Sequence, residues 1–363
     1  MNKIARLFAC VLCLCLVGVS RLRAELVETN SDLDLPICSF VKLDSVSSVA
    51  VVSRQNGINL NGGGCAAGTG AMTVRINNGT STINWGTTGN VIKGTLKFGS
   101  GSTANVLTLQ NGINLNGGSR TIQVDDNPST SADYAVISGV ISNSTGTGNL
   151  TKSGAGMLKI ATTSTYNGTT TISGGSLQAD LAAGFLTLGG GVLQSNSAQT
   201  FTRALGTSGS TFRWNTGGGG FSAGAGAMTV NVGNESALTW GTTVGTHLVG
   251  TLKLNSSTST NVVTFQNSIN LGGGDRTVQV DDNADSSADY TVMSGVLSGT
   301  GLLTKTGAGL LYLNGSAGAR NVIIAGSPSS VGLGSQSVPE PSTTILLIGL
   351  AAMGLLGRSR YGR

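Results

Sequence analysis

Residues 105–141 read NVLTLQNGINLNGGSRTIQVDDNPSTSADYAVISGVI, and residues 261–297 read NVVTFQNSINLGGGDRTVQVDDNADSSADYTVMSGVL. The two stretches are 156 positions apart, and 25 of their 37 residues are identical without a gap. Upstream, Ala71, Met72, Thr73 and Val74 recur as Ala227, Met228, Thr229 and Val230, and Trp85 returns as Trp240 after a slip of one. Downstream, a slip of three aligns Leu150, Lys152, Gly154 and Gly156 with Leu303, Lys305, Gly307 and Gly309. A long internal repeat outranks local signals, because recurring units bury their apolar faces against their neighbours.

Apolar residues alternate within the repeat: Leu107 with Leu109, Ile113 with Leu115, Ile122 with Val124, and further on Leu158 with Ile160. A period of two over such short runs reads as strand, and no interior stretch carries a useful helical period. Asn-Gly steps at Asn78, Asn111, Asn167 and Asn314 fall at the breaks, where a positive φ is expected. Short strands, glycine corners and a duplicated block of about 156 residues predict an all-β, right-handed parallel β-helix. Coils of about 20 residues would give roughly a dozen of them. A pair of β-sandwiches is the competing architecture, but no linker separates the two blocks.

Composition agrees. Glycine, at 57 of 363 residues, is about twice its usual share. The formal charge of +5 is uneven, since seven of the 21 Lys and Arg lie in the first 24 and last six residues. The remaining 14 face 16 Asp and Glu, so the body is near neutral and lacks the basic footprint of nucleic-acid binding. Cys10, Cys13 and Cys15 sit in the N-terminal apolar run, which leaves Cys38 and Cys65, whose spacing fits no metal motif. Unpaired, inert thiols are the expected state.

The ends read as addresses. Lys3 and Arg6 precede an apolar run over 7–19, and small residues follow. This predicts a secretory signal helix over 1–24, cut by signal peptidase after Ser20 or Ala24. Residues 25–54 are read as an N-terminal cap or degenerate segment, 55–327 as the repeat region with copies near 66–160 and 222–313, and 328–337 as a linker. The last segment, 338–363, is VPEPSTTILLIGLAAMGLLGRSRYGR. It predicts a Pro-rich turn, then a hydrophobic helix crossing the inner membrane transiently through 343–357, slightly short for a permanent anchor. Arg358, Arg360 and Arg363 place its end in the cytoplasm and the β body outside. A plain tail anchor is the competing reading.

Residues 146–175 resemble the autotransporter-associated β-strand repeat. Leu150, Lys152, Gly154, Gly156, Leu158 and Ile160 match its first half, and Thr165, Tyr166, Asn167, Gly168, Thr170, Ile172 and Gly175 its second. The later copy keeps Leu303, Lys305, Gly307, Gly309, Leu311 and Leu313 but loses the Thr-Tyr step. The resemblance implies a secreted parallel β-helix and brings no catalytic residues. The order of the tail resembles the PEP-CTERM sorting signal, carried by Val338, Pro339, Glu340, Pro341 and Ser342, the short span, and Arg358, Arg360 and Arg363. That resemblance implies an exosortase-type transpeptidase as partner, removal of the tail, and a place on the cell surface or in a matrix with extracellular polysaccharide.

Other candidates have plainer readings. Asp125, Asp126, Asn127 and Asp133 recur as Asp281, Asp282, Asn283 and Asp289. Oxygen ligands at this density suit Ca²⁺, but the spacing is that of no Ca²⁺ loop, and turn residues bonding their own backbone are expected. His247, the sole histidine, is expected at the surface and has no sequence partner as a base. Trp85 and Trp240 are expected in the core rather than as sugar platforms. No metal, cofactor or catalytic residue is assigned. The expectation is a non-enzymatic exported surface or matrix protein. A β-helical polysaccharide-degrading enzyme and a sugar-binding adhesin are the alternatives.

Overall fold

The structure, a computed structural model, describes residues 64–315 apart from 69, 77–80, 87–91 and 182–183. It also describes the backbone of Leu33–Leu35, Phe40–Leu43, Ile58–Asn61, Val322–Ile324 and Val331–Leu333. The signal segment 1–24, Cys38 and the tail 338–363 lie outside the described residues.

Among the described residues there is no helix, and every strand pairing is parallel. Strands of two to six residues build six sheets, the longest with 11, 8 and 6 strands. Apart from Leu238–Gly241 and Leu248–Val249, strands adjacent in a sheet are not adjacent in sequence, because the chain visits other sheets between them. This is the stacking of a parallel β-helix. Coils vary in length: Leu177 pairs with Leu193 after 16 residues, whereas Met72 pairs with Leu107 after 35. The expected coil of about 20 residues is therefore one case in a wide range, because loops leave at some corners and not at others.

The alternation in sequence becomes stacked ladders. In the 11-strand sheet, Met72, Leu107, Ala135, Leu158, Leu177, Leu193, Phe221 and Leu254 lie in register, strand on strand. All are buried. Each large aliphatic rung contributes about 1.5–3 kcal/mol by leaving water. Like side chains stacked in register at the inter-strand spacing pack along the whole axis. The stretch read as an N-terminal cap supplies Phe40–Leu43, which pairs with Gly64–Ala67. Val331–Leu333, within the stretch read as a linker, pairs with Leu311–Leu313, so the stack runs past residue 327.

Matched positions make matched contacts. Trp85 Nε1 donates to the Gly94 carbonyl at 3.0 Å, and Trp240 Nε1 to that of Gly250 at 2.9 Å. Arg120 bonds the carbonyls of Leu115 and Trp85, and Arg276 those of Leu271 and Trp240. Yet the matched strands do not share sheets. Ser119–Val124 lies in the 8-strand sheet, while its counterpart Arg276–Val280 lies in the 11-strand sheet. Ala135–Ile137 lies in the 11-strand sheet, and its counterpart Thr291–Met293 in the 6-strand sheet. The second block is thus advanced by one face. The change happens where the 8-strand sheet ends at Phe212–Trp214 and the 6-strand sheet begins at Gln199–Phe201. Phe201, Phe212, Trp214 and Phe221 fill that junction, with ring centroids 4.7 to 6.1 Å apart.

The Asn-Gly expectation needs correction. Among the described residues, the non-glycine positions with positive φ are Asn116, Asn234, Glu235 and Asn255. Asn111 is fully buried instead. Its Oδ1 accepts from the Ile76 N–H at 2.8 Å, and its Nδ2 donates to the Ile76 and Ser81 carbonyls. Asn267 does the same with Val232 and Ser236. A parallel coil that turns without its own ladder bonds leaves backbone groups buried, and an inward asparagine satisfies them. Positive φ falls to glycines such as Gly154 and Gly307, at 77° and 78°. A Cβ there would lie 2.2 Å from the Val124 or Val280 carbonyl oxygen of the coil below.

Candidate functional site

The acidic stretches form two loops of matching design. Asp133 is buried, and its Oδ2 accepts from the Asn127 N–H at 2.6 Å, while Asn127 Nδ2 donates to the Thr103 carbonyl. Asp289 holds the Asn283 N–H at 2.7 Å in the same way, and Asn283 Nδ2 reaches the Ser259 carbonyl. Each loop thereby closes on itself and ties to the loop of the preceding coil. Burial raises the carboxyl of Asp133, against the pull of the Asn127 N–H. Burial likewise raises Asp126, which the Lys152 charge draws back. Asp282 is raised by burial and by the neighbouring Asp289 charge. Asn127, Asp133, Asn283 and Asp289 bond their own loop's backbone, as expected from sequence, whereas Asp125 and Asp281 accept from the Gln123 and Gln279 amides. Among the described residues, no group of three His, Cys, Asp or Glu side chains converges as a metal site.

The one-face advance brings these loops to opposite edges of one sheet. The first links Ser119–Val124 to Ala135–Ile137, so it leaves where the 8-strand sheet meets the 11-strand sheet. The second links Arg276–Val280 to Thr291–Met293, so it leaves where the 11-strand sheet meets the 6-strand sheet. They meet over the outside of the 11-strand sheet, where Ser131 Oγ donates to Asp285 Oδ2 at 2.6 Å. A third loop leans over the same face: Gln194 Nε2 donates to the Thr258 carbonyl, and Thr258 Oγ1 to Gln194 Oε1. The short coils beneath have no loops of their own to cover this face.

Between roof and sheet lies a groove of about 250 Å³, lined by Ser131, Tyr134, Met157, Gln178, Gln194 and Asn283 among others. Its lining carries no charged side chain. Gln178 and Gln194 are neighbours on adjacent strands. Gln178 Nε2 donates to the Ser195 carbonyl at 3.0 Å. A second hollow of about 200 Å³ lies beside Leu193, Gln199 and Arg203.

Lys152 and Lys305 had been only motif matches in the sequence, and both are fully buried. Lys152 takes a rung between Ile122 and Ile172. Its Nζ donates to the carbonyls of Ser153, Gly154 and Gly174 at 2.9, 2.9 and 3.0 Å. Burial pushes this amine down to about 7, against the opposing pull of Asp126 and Asp125. Lys305 donates to the Gly307 carbonyl at 2.8 Å, and burial lowers it too. The amines cap the turns that follow their strands. The tryptophans belong to the core, at 0% exposure for Trp85 and 1% for Trp240. His247 is half-buried, and its Nδ1 meets the Thr246 hydroxyl at 3.0 Å. Cys65 is a buried free thiol, pushed up to about 12 by desolvation. Tyr166 of the Thr-Tyr step is buried and shares a 2.6 Å hydrogen bond with Thr170.

Comparison with known families matches two stretches. The passenger-associated-transport-repeat matches residues 150–179, which hold strands Met157–Ile160, Thr170–Ile172 and Ser176–Gln178. The PEP-CTERM protein-sorting motif matches residues 337–360, which include Val338, Pro339, Glu340, Pro341, Ser342, Arg358 and Arg360. Arg363 falls just beyond that match, and all of these residues lie outside the described ones. The chain carries both elements. The sorting motif implies an exported protein with a C-terminal signal that an exosortase processes. No curated protein and no solved structure matches the chain. Among the described residues, no helix is long and apolar enough to cross a membrane.

Proposed function

We propose that the chain is a non-enzymatic surface or extracellular-matrix protein. Its signal helix takes it through the inner membrane, and the right-handed β-helical body, built from a duplicated block, folds outside. The hydrophobic tail helix holds the precursor in the inner membrane through residues 343–357. An exosortase-type enzyme then recognises Pro339, Glu340 and Pro341 and removes the tail, which frees the body for the cell surface or matrix. The observation that carries this reading is the sorting motif over 337–360, joined to a secreted-type repeat over 150–179. The body supports it: Asp133 and Asp289 are engaged in closing their own loops, which is structural work.

Replacing Pro339, Glu340 and Pro341 with Ala leaves the apolar run intact. The variant should stay in the inner membrane at full length, while the wild type should be released shorter by about 2–3 kDa, the size of a short span and its flanks. Equal mass and equal membrane fraction would make the tail a plain anchor.

A further inference from the structure

We propose that the groove over the 11-strand sheet, between the two acidic-turn loops, binds a neutral oligosaccharide chain. The lining is uncharged, and Gln178, Tyr134 and Thr258 bring amide and hydroxyl groups to it, while the amides of Gln194 and Asn283 are spent within the protein. Such a surface offers nothing to an anion or cation that would repay its desolvation. It suits a neutral ligand dense in hydroxyl groups. Gln178 spends its Nε2 on the Ser195 carbonyl, and among the described residues none donates to its Oε1. Tyr134 is half-buried in the wall, its hydroxyl has no partner among the described residues, and an aromatic ring there suits the C–H side of a sugar.

The form of the groove points the same way. Gln178 and Gln194 stand on successive strands, about 4.8 Å apart along the stack, and Gln194, its amide spent on the Thr258 loop, fixes the roof beside the Gln178 amide. The groove is also fixed before any ligand arrives. Gln194 is tied to the Thr258 loop, and Ser131 to Asp285, so little ordering cost remains. Charges flank it without entering: Lys159 is the next rung beyond Gln178, and Asp285 is engaged by Ser131. The inference does not depend on the sorting route, because binding is read on the purified chain.

The test titrates the purified chain with neutral hexasaccharides of α-1,4-glucose, β-1,4-glucose and β-1,4-mannose, and with an acidic galacturonate oligomer. Saturable binding of at least one neutral hexasaccharide is expected, with the acidic oligomer at least tenfold weaker. Tyr134→Ala should weaken binding at least tenfold while thermal unfolding stays that of the wild type; Gln178→Glu, which also loses its bond to the buried Ser195 carbonyl and unfolds at a lower temperature, should weaken binding as much when titrated where it is still folded. Tyr134→Phe, which keeps the ring and the packing, should lose less than Tyr134→Ala. The proposal fails if no neutral hexasaccharide binds saturably. It fails equally if the acidic oligomer binds as well, or if both variants bind like the wild type.

Discussion

Ser131 and Asp285, 154 positions apart, share a 2.6 Å hydrogen bond that joins two loops of the same design across one sheet. The contact exists because the second block is advanced by one face. With the blocks in phase, both loops would leave from the same corner and would not face each other. The pair is exposed, so its net worth to global stability is small. Ser131→Ala should change the unfolding free energy by less than about 1 kcal/mol. It should nonetheless speed hydrogen exchange in residues 126–134 and 282–289, whose tips lose their tie. Unchanged exchange in both loops would show that each is held entirely by its own turn.

Inside the loops the balance is reversed. Asp133 Oδ2 takes the Asn127 N–H in a buried setting, and Asp289 repeats this with Asn283. Asp133→Ala strands a part-buried donor, which costs about 1 kcal/mol. The same change at Asp289 should cost at least as much, because Ser259 Oγ also donates to its carboxylate at 3.2 Å. Neither loop needs a cation for this. Melting should be the same with EGTA and with added Ca²⁺, since only a ligand bound to the folded state shifts the midpoint. A midpoint that falls in EGTA and returns with Ca²⁺ would make the loops metal sites.

The β-helix was legible because its signals are local and periodic. Leu107 with Leu109, and Ile122 with Val124, alternate so regularly that their burial follows from the pleat. The tryptophans were legible from size and recurrence. Two things were hidden. One was the role of asparagine: Asn111 and Asn267 look like turn residues in sequence, but they are inward props for backbone groups of another coil. Their partners lie 35 positions away, beyond any local rule. The other was the groove. Gln178, Gln194 and Thr258 carry no motif, and they meet only because 16-residue coils leave a bare sheet for distant loops to cover. The one-face advance is a property of the whole stack, set by corners counted between the blocks, and no short window displays it.

Lys152 offers the sharpest test of the core. It stands on an aliphatic ladder between Ile122 and Ile172, with all three donors spent on carbonyls. Those bonds favour the charged amine, but burial works against it and pushes the amine down to about 7. In the unfolded chain a lysine titrates near 10.4. Between these values the unfolded chain binds more protons than the folded one, so stability rises with pH. Below about 7 both states are protonated and the contribution is flat at its least favourable level; above about 10.4 both are neutral and the penalty is gone. Urea unfolding of the wild type and of Lys152→Met should therefore diverge with pH, the wild type gaining about 1 kcal/mol per unit from pH 7.5 to 9.5 relative to the variant. Near pH 7 the variant should be less stable in absolute terms if its orphaned carbonyls outweigh the relief of burying no amine. That offset is separate from the slope. A difference that stays constant across the range would show that the carbonyl cage holds the proton against burial, and that Lys152 is an ordinary ammonium inside the stack.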